Sequence, residues 1–481
     1  MEGKNATVRR KTNFNYGVKG WLLILYCCIG WMFVSGGWWN GTAGNIMNGQ
    51  MALQIFGDSN NTSPVLAMNS YIGYASVIII LFVGVLFGRF KTRIMQSILM
   101  FVGGVAVCFY GMVNSILTYI IVFLLIDIMA NATSSVGLPQ IIMQWFPTKK
   151  GSALGWATIG TNLAALVTFT IFSALIASSG VVVTNIIFGV ATIIMGLINL
   201  IFIKDNPEDA GFKPDNGDFT PEELEAHKKL MSGPMVWTNK EALKDKNFWL
   251  LGIAYGALFM CSTGLLQQLV PYQIAMNGPI LAQQMAAAQG VAVSETMAAG
   301  MGAAAANASA IMKWLPAFAL PGSIFSGWLD QKIGTRRTAI IMAICYAIAC
   351  LCAGGFFNLI PYNSVMNWIF IVLFFFWTGA NANLGMSHAV SVFGPRDYPH
   401  VWGRMAFIVN LLRVTAALVL SWGIANFAVT TAAGTVNNGP GYRAGYSVFF
   451  ILAIVAIVCL FISDNRVDKK PGEPVTARYK D

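Results

Sequence analysis

Apolar runs long enough to cross a bilayer follow one another along this chain, and one long polar stretch interrupts them, Lys204–Asn247. That stretch sets seven lysines against ten acidic residues and is rich in Pro and Gly, the chemistry of a solvated loop. It has room for one short helix, Pro221–Met231, with Thr220 as cap and Glu223 reaching back. Six apolar runs precede the loop and six follow it. The expected fold is therefore an all-α membrane protein, with twelve transmembrane helices in two six-helix bundles. The boundaries are 1–203 for the first bundle with its basic leading segment, 204–247 for the inter-bundle loop, 248–463 for the second bundle and 464–481 for the tail.

With 56% hydrophobic and 10% charged residues, the chain has too little charge to cover a water-soluble surface, so the bilayer is the solvent for most of it. The formal charge of +10 would suit nucleic acid only if the cations clustered on one face of a soluble domain, and they do not. All the Lys and Arg except Lys313, Arg413 and Arg443 fall on one side of an alternating topology. They lie before span 1, in the turns after spans 2, 4, 8 and 10, in the central loop and in the tail. By the positive-inside rule that side is the cytoplasm, which puts both termini and the loop there and makes the chain a multi-pass protein of the cell membrane. No nucleic-acid partner is expected. The eight cysteines lie inside apolar runs without CxxC spacing and read as small buried hydrophobes, neither disulfides nor metal ligands. The first run ends in Trp38 and Trp39 with no small-residue cleavage site, so it reads as a retained span.

Two turns repeat. Span 2, about Met68–Gly88, ends in Gly84, Gly88, Arg89, Lys91 and Arg93, and span 8, about Ile311–Leu329, ends in Gly327, Asp330, Gln331, Lys332, Gly334, Arg336 and Arg337. Both resemble the G-x-L-a-D-[RK]-x-G-R-[RK] loop after the second helix of each half in the major facilitator superfamily. The second copy has Gln331 at the Asp position and Asp330 one residue earlier. Span 4, about Leu117–Met143, leads into Trp145, Phe146, Pro147, Lys149, Lys150, Gly151 and Gly155 at the start of span 5, about Ser152–Ala177. That string resembles the span 4–5 connection of the oxalate/formate antiporter and monocarboxylate carrier branches. The stretch Phe393, Gly394, Pro395, Arg396, Trp402, Gly403 echoes it in the second half, as expected of a carrier built from repeats.

The resemblance implies two bundles rocking about a central site lined by spans 1, 4, 7 and 10. It also implies that cations in spans 8 and 11 hold the substrate. Here Ser323 stands at the span 8 position, Asn410 at the span 11 position, and Arg413 one turn deeper, about 15 Å into span 11. A guanidinium at that depth must be paired or face water, and its competing role is to be tied to Asp127 or to backbone carbonyls. One intramembrane cation favours a monoanion over a dicarboxylate. The expected substrate residues are Arg413, Asn410, Asn381 and Asn383 with Gln267, Gln268 and Tyr272 of span 7 and Trp39 and Asn40 of span 1. Asparagine and glutamine in these spans are equally suited to bonding helix to helix. Asp127 and His388 are the proton-coupling candidates, against helix packing for the first and an interfacial place for the second. The gating turns are Arg89, Lys91 and Arg93, and Asp330, Arg336 and Arg337, whose cations can bond helix C-terminal carbonyls.

No GxxxxGK[ST], HExxH or GxSxG is present, so neither an enzyme nor a primary pump is expected, and no cofactor. The expected function is secondary active transport of a small or amphipathic organic anion of monocarboxylate type, by proton symport or by exchange with a counter-substrate, in a monomer. A bile-acid-like steroid acid is the alternative substrate, and a transport-inactive sensor on the same scaffold is the alternative class. The Ala-, Gly- and Met-rich outer segment Asn277–Ala310 reads as a cap or as a lengthening of spans 7 and 8.

Overall fold

The computed structural model describes residues 7–9, 14–35, 42–57, 63–218, 225, 237–394, 397–430, 436–464 and 478–480. Trp39, Asn40 and, apart from Glu225, the expected helix at Pro221–Met231 lie outside them.

Among the described residues nine helices are long and apolar enough to cross a membrane. They supply span 1 (Gly17–Val34), span 3 (Thr92–Tyr110), span 4 (Ile116–Trp145), span 6 (within Thr170–Phe202), span 7 (Lys246–Leu266), span 9 (Thr335–Asn358), span 10 (from Ser364), span 11 (Val401–Phe427) and span 12 (Gly439–Ile462). Three further helical passes complete the set: span 2 within Ser63–Arg89, span 5 from Lys150 through Thr168, and span 8, Leu315–Ile333. Spans 5 and 8 are poorer in large apolar side chains for a physical reason. They face each other between the bundles, where Gly151, Gly155, Ser323 and Gly327 let the backbones close, so the faces in contact carry small side chains. Lipid-facing positions instead carry large apolar groups such as Leu22, Phe82, Ile201 and Phe461, all exposed.

Spans 5 and 6 join at Gly180, whose φ of 78° an L side chain adopts only under strain. Span 7 breaks at Gln268 and continues as Leu269–Gln289, turns at Gly290, and returns as Val293–Lys313 into span 8. The Ala- and Gly-rich outer segment is this helical hairpin. Its two arms pack closely, and a Cβ on Gly300 would lie 2.6 Å from the Ala282 backbone nitrogen. A separate helix, Thr42–Phe56, covers the same end of the first bundle, where Gln54 Nε2 donates to Gly111 O at 3.1 Å.

The central loop, the leading segment and the tail share the other face, here called the loop side. Lys19 Nζ donates to Ala210 O at 3.1 Å, Asp464 N to Asn247 Oδ1 at 2.8 Å, and Thr7–Arg9 pairs in parallel with Arg478–Lys480. The bundles are closed on this side. Span 5 packs on span 8 and span 11 on span 2, and a Cβ on Gly403 would meet Gly84 Cα at 2.8 Å. Among the described residues no pair of helices on the opposite side joins the bundles to a like extent. Three π-helical turns, Trp31–Ser35, Thr133–Gly137 and Ala164–Thr168, sit in spans 1, 4 and 5, and the first touches both of the others inside the first bundle. Such turns loosen the helical ladder and mark where a span can bend.

Candidate functional site

Two charged side chains stand in mid-span. Asp127 lies 11 residues into span 4, roughly 17 Å from its outer end, and Arg413 lies 15 residues beyond Tyr398, where the span 11 helix begins, roughly 22 Å along it. They belong to different bundles and act on each other electrostatically, with Ser76 of span 2 and Asn131 beside Asp127. Both are half-buried. The Asn131 amide is spent partly on its own helix, donating to Asp127 O at 3.0 Å, while Ser134 and Ser135 donate to Asn131 O. The guanidinium that the sequence isolates in span 11 therefore has a carboxylate facing it across the bundle interface. Neither charge crosses the low-dielectric region uncompensated.

The other expected substrate residues separate. Asn410, one turn before Arg413, is buried. Asn381 and Asn383 are buried on span 10, and the Oδ1 atom of each lacks a hydrogen-bond partner among the described residues. Asn383 Nδ2 reaches Ser326 Oγ at 3.3 Å. Tyr272 is fully buried inside the second bundle, donates to Ala353 O at 3.1 Å and packs edge-on against Phe370 and Tyr446. Gln268 accepts from Tyr442 in the same cluster at 3.3 Å. These contacts are intra-bundle packing at the break in span 7. The side chain of Gln267 and the residues Trp39 and Asn40 lie outside what is described. His388 is fully buried, with Nδ1 3.1 Å from Tyr255 Oη. It sits in the protein interior, five residues before the loop-side end of the span 10 helix at Phe393.

A second cluster closes the loop side. Lys150, 3% exposed, donates from span 5 to Ser387 O at 2.8 Å and Ser391 Oγ at 2.7 Å on span 10. Ser387 Oγ donates to Asp330 at 2.6 Å, and Asp330 also accepts from Thr335 Oγ1 at 2.5 Å. Beside it, Gln331 donates to Thr148 O and accepts from Gly151 N at 3.1 Å, and Thr158 Oγ1 lies 3.0 Å from Ser323 Oγ. The result is a buried ammonium and a buried carboxylate joined through hydroxyls across two bundles. Ser323 is fully buried, and its hydroxyl donates to Gly155 O at 2.8 Å, so the span 8 position offers a neutral hydroxyl and not a cation. Of the expected gating cations, Arg336 does bond helix C-terminal carbonyls, Leu460 O at 3.0 Å and Phe461 O, within its own bundle. Arg93 offers its backbone to the loop, Arg93 N donating to Asp205 at 2.7 Å, and Arg89 and Lys91 are exposed.

Sequence reasoning took Lys149 and Lys150 as orientation charges. Both are fully or nearly fully buried and bonded, and Ser387, Ser391 and Thr335 went unremarked, while Gln331 was noted only as a departure from the turn pattern. The available signal was the pair of lysines inside the W-F-P-T-K-K-G string, directly before two closely spaced glycines. On the opposite edge of the closure Tyr398 Oη of span 11 donates to Ser135 O of span 4 at 2.8 Å. Removing that hydroxyl in Tyr398→Phe should weaken the closed state by about 1 kcal/mol, roughly fivefold in population. The check is the ratio of loop-side-closed to loop-side-open molecules by spin-label distance measurement, and an unchanged ratio would show the bond to be idle.

A variant of the E. coli fucose:proton symporter superposes on 92% of this chain and 99% of its own, with a TM-score of 0.58 and 11% identity. A bacterial homologue of the iron transporter ferroportin, in an outward-facing state, superposes on 91% and 98%, with a TM-score of 0.57 and 12% identity. At such identities the likeness shows the fold alone. No curated protein sequence matches the chain. The family profile described as Major Facilitator Superfamily matches residues 28–317, more than half of the 481 residues. The chain belongs to the major facilitator superfamily. It is thus a multi-pass membrane protein built for secondary transport of a small molecule, and a transporter rather than an enzyme. As a major facilitator protein it has its gate shut on the loop side, with Lys150 and Asp330 as the charges inside that gate. The comparisons single out neither the oxalate/formate nor the monocarboxylate branch.

Proposed function

We propose that this major facilitator protein moves a small organic monocarboxylate across the cell membrane together with one proton, or in exchange for a second monocarboxylate. The observation that carries the reading is the mid-membrane pair Asp127 and Arg413, one charge from each bundle. In the resting arrangement the carboxylate of Asp127 neutralises the guanidinium. A proton bound by Asp127 removes that partner and frees Arg413 to take the substrate carboxylate in its forked geometry. Substrate anion and proton then occupy the site with no net change of charge, so the loaded site is no costlier to carry through the low-dielectric interior than the empty one. A second substrate carboxylate would find no second cation at Ser323, which disfavours dicarboxylates. Asn410 and Asn381, buried near the pair and in span 10, are proposed to orient the polar part of the substrate, and His388 is a second proton-accepting group below it. Gln267, Trp39 and Asn40 remain candidates for the outer wall.

We also place the loop side in the cytoplasm, after its concentration of Lys and Arg, and take the working unit as a monomer. The test is counterflow in proteoliposomes with radiolabelled monocarboxylates, dicarboxylates, bile acids and neutral solutes. Exchange of a monocarboxylate with little response to dicarboxylates is expected. Exchange confined to neutral solutes would remove the anion reading.

A further inference from the structure

The described part of the central loop after span 6 lies against the first bundle as a strap, held by a few directed contacts. Trp145 Nε1 donates to Lys204 O at 2.9 Å, and the Trp145 ring stacks on Phe212 with centroids 5.6 Å apart. At the far end Asp215 is fully buried, and its Oδ2 accepts from both Thr148 N at 3.0 Å and Thr148 Oγ1 at 2.8 Å. To reach that place Asp215 and Asn216 take left-handed φ values of 51° and 58°, a conformation that costs energy in residues with a Cβ. Lys149, also fully buried, donates to Asn15 O at 2.7 Å and Asp215 O at 3.3 Å and pairs with Asp218.

Thr148 stands between this strap and the opposite bundle. Its N–H and hydroxyl are held by Asp215, while its carbonyl accepts from Gln331, and Lys150 and Gly151, two and three residues on, carry further cross-bundle bonds. One peptide is thus shared by the strap and the gate. We propose that the segment 205–218 is a regulatory strap: Asp215 seated on Thr148 fixes the turn that Gln331 and Lys150 lock, and gain of negative charge on Asp215 releases strap and gate together.

The groups facing Asp215 are the Lys149 ammonium and Thr148 from the span 4–5 turn and Tyr16 from the leading segment, with Asp218 close by within the strap and Gln331 and Asp330 beyond Gly151 in the other bundle. Burial pushes the Asp215 carboxyl from its ordinary 3.8 up to about 6, against the opposing pull of the Thr148 bonds and Lys149. The seated strap binds the proton more tightly than the free one. Its stability is therefore fully present below the ordinary carboxyl value and is lost as pH rises through the seated value. Between pH 5 and pH 7.5 that linkage lowers the seating equilibrium about tenfold.

The test is hydrogen exchange on the full chain in lipid nanodiscs, read as protection relative to an unstructured peptide at the same pH. It does not depend on knowing the substrate. Protection of residues 145–151, 205–218 and 323–335 should fall together by about tenfold from pH 5 to pH 7.5, and Asp215→Asn should hold it constant within about twofold. Three results would overturn the proposal: a strap whose protection ignores pH, the same fall in Asp215→Asn, or a strap that loosens while residues 323–335 stay protected. The wild-type series decides the first and third even where the variant fails to fold.

Discussion

Replacing Arg413 with glutamine is expected to lower the uptake rate of the transported anion about 100-fold, the loss typical of a deleted charge-assisted bond. Arg413→Lys should fall about tenfold, because it keeps the charge and loses the fork. The reason is positional. Arg413 lies near the midpoint of span 11, too deep for its side chain to reach a headgroup, and Asp127 is its facing charge from the other bundle. If its role were to tie spans 4 and 11 together, Arg413→Gln would destabilise the fold and Arg413→Lys would restore it without changing substrate dependence. The distinguishing readout is the substrate concentration giving half-maximal exchange. A binding cation raises it in the lysine variant; a structural one leaves it alone.

Lys150→Met is expected to have the largest conformational effect. It would take the buried ammonium away from the buried Asp330 carboxylate, and breaking one side of a buried pair costs about 3–5 kcal/mol, which shifts the closed population by about 100-fold or more. With spin labels at the exposed loop-side positions Lys91 and Lys332, the wild type should give a short distance and Lys150→Met a second, longer one. Joining Lys150→Met to Asp330→Asn should restore most of the short distance, since the double variant buries no orphaned charge. An unaltered distribution in Lys150→Met would mean that the Gly151, Gly155 and Gly327 packing closes the gate without help from charge.

The architecture was legible because its cause is coarse. Six apolar runs, a polar loop and six more runs leave few ways to satisfy backbone polar groups in lipid. The mid-membrane charges were legible for the same reason, since Asp127 and Arg413 are conspicuous wherever hydrocarbon is the solvent. What the sequence hides is direction. Tyr272 and Gln268 look like cavity residues on an apolar helix, yet rotation of span 7 turns them into the second bundle against Tyr442 and Tyr446. Lys149 and Lys150 read as surface charges in a short basic turn. The bend at Pro147 instead sends one into the strap and the other into the opposite bundle. Adjacent residues on a turn diverge, and only the packed partners say where each one goes. The shift of Asp330 against its usual position had a similar outcome: both Asp330 and Gln331 are used, the first as the buried charge and the second as a bridge to Thr148.

The most direct test of the coupling account is monocarboxylate uptake driven by an imposed pH gradient in proteoliposomes, comparing the parent chain with Asp127→Asn. The parent should accumulate substrate above equilibrium on the alkaline side. The variant, with Arg413 permanently released, should still exchange substrate for substrate and show no accumulation. Accumulation undiminished in Asp127→Asn would contradict the account, because the proton would then travel on some other group.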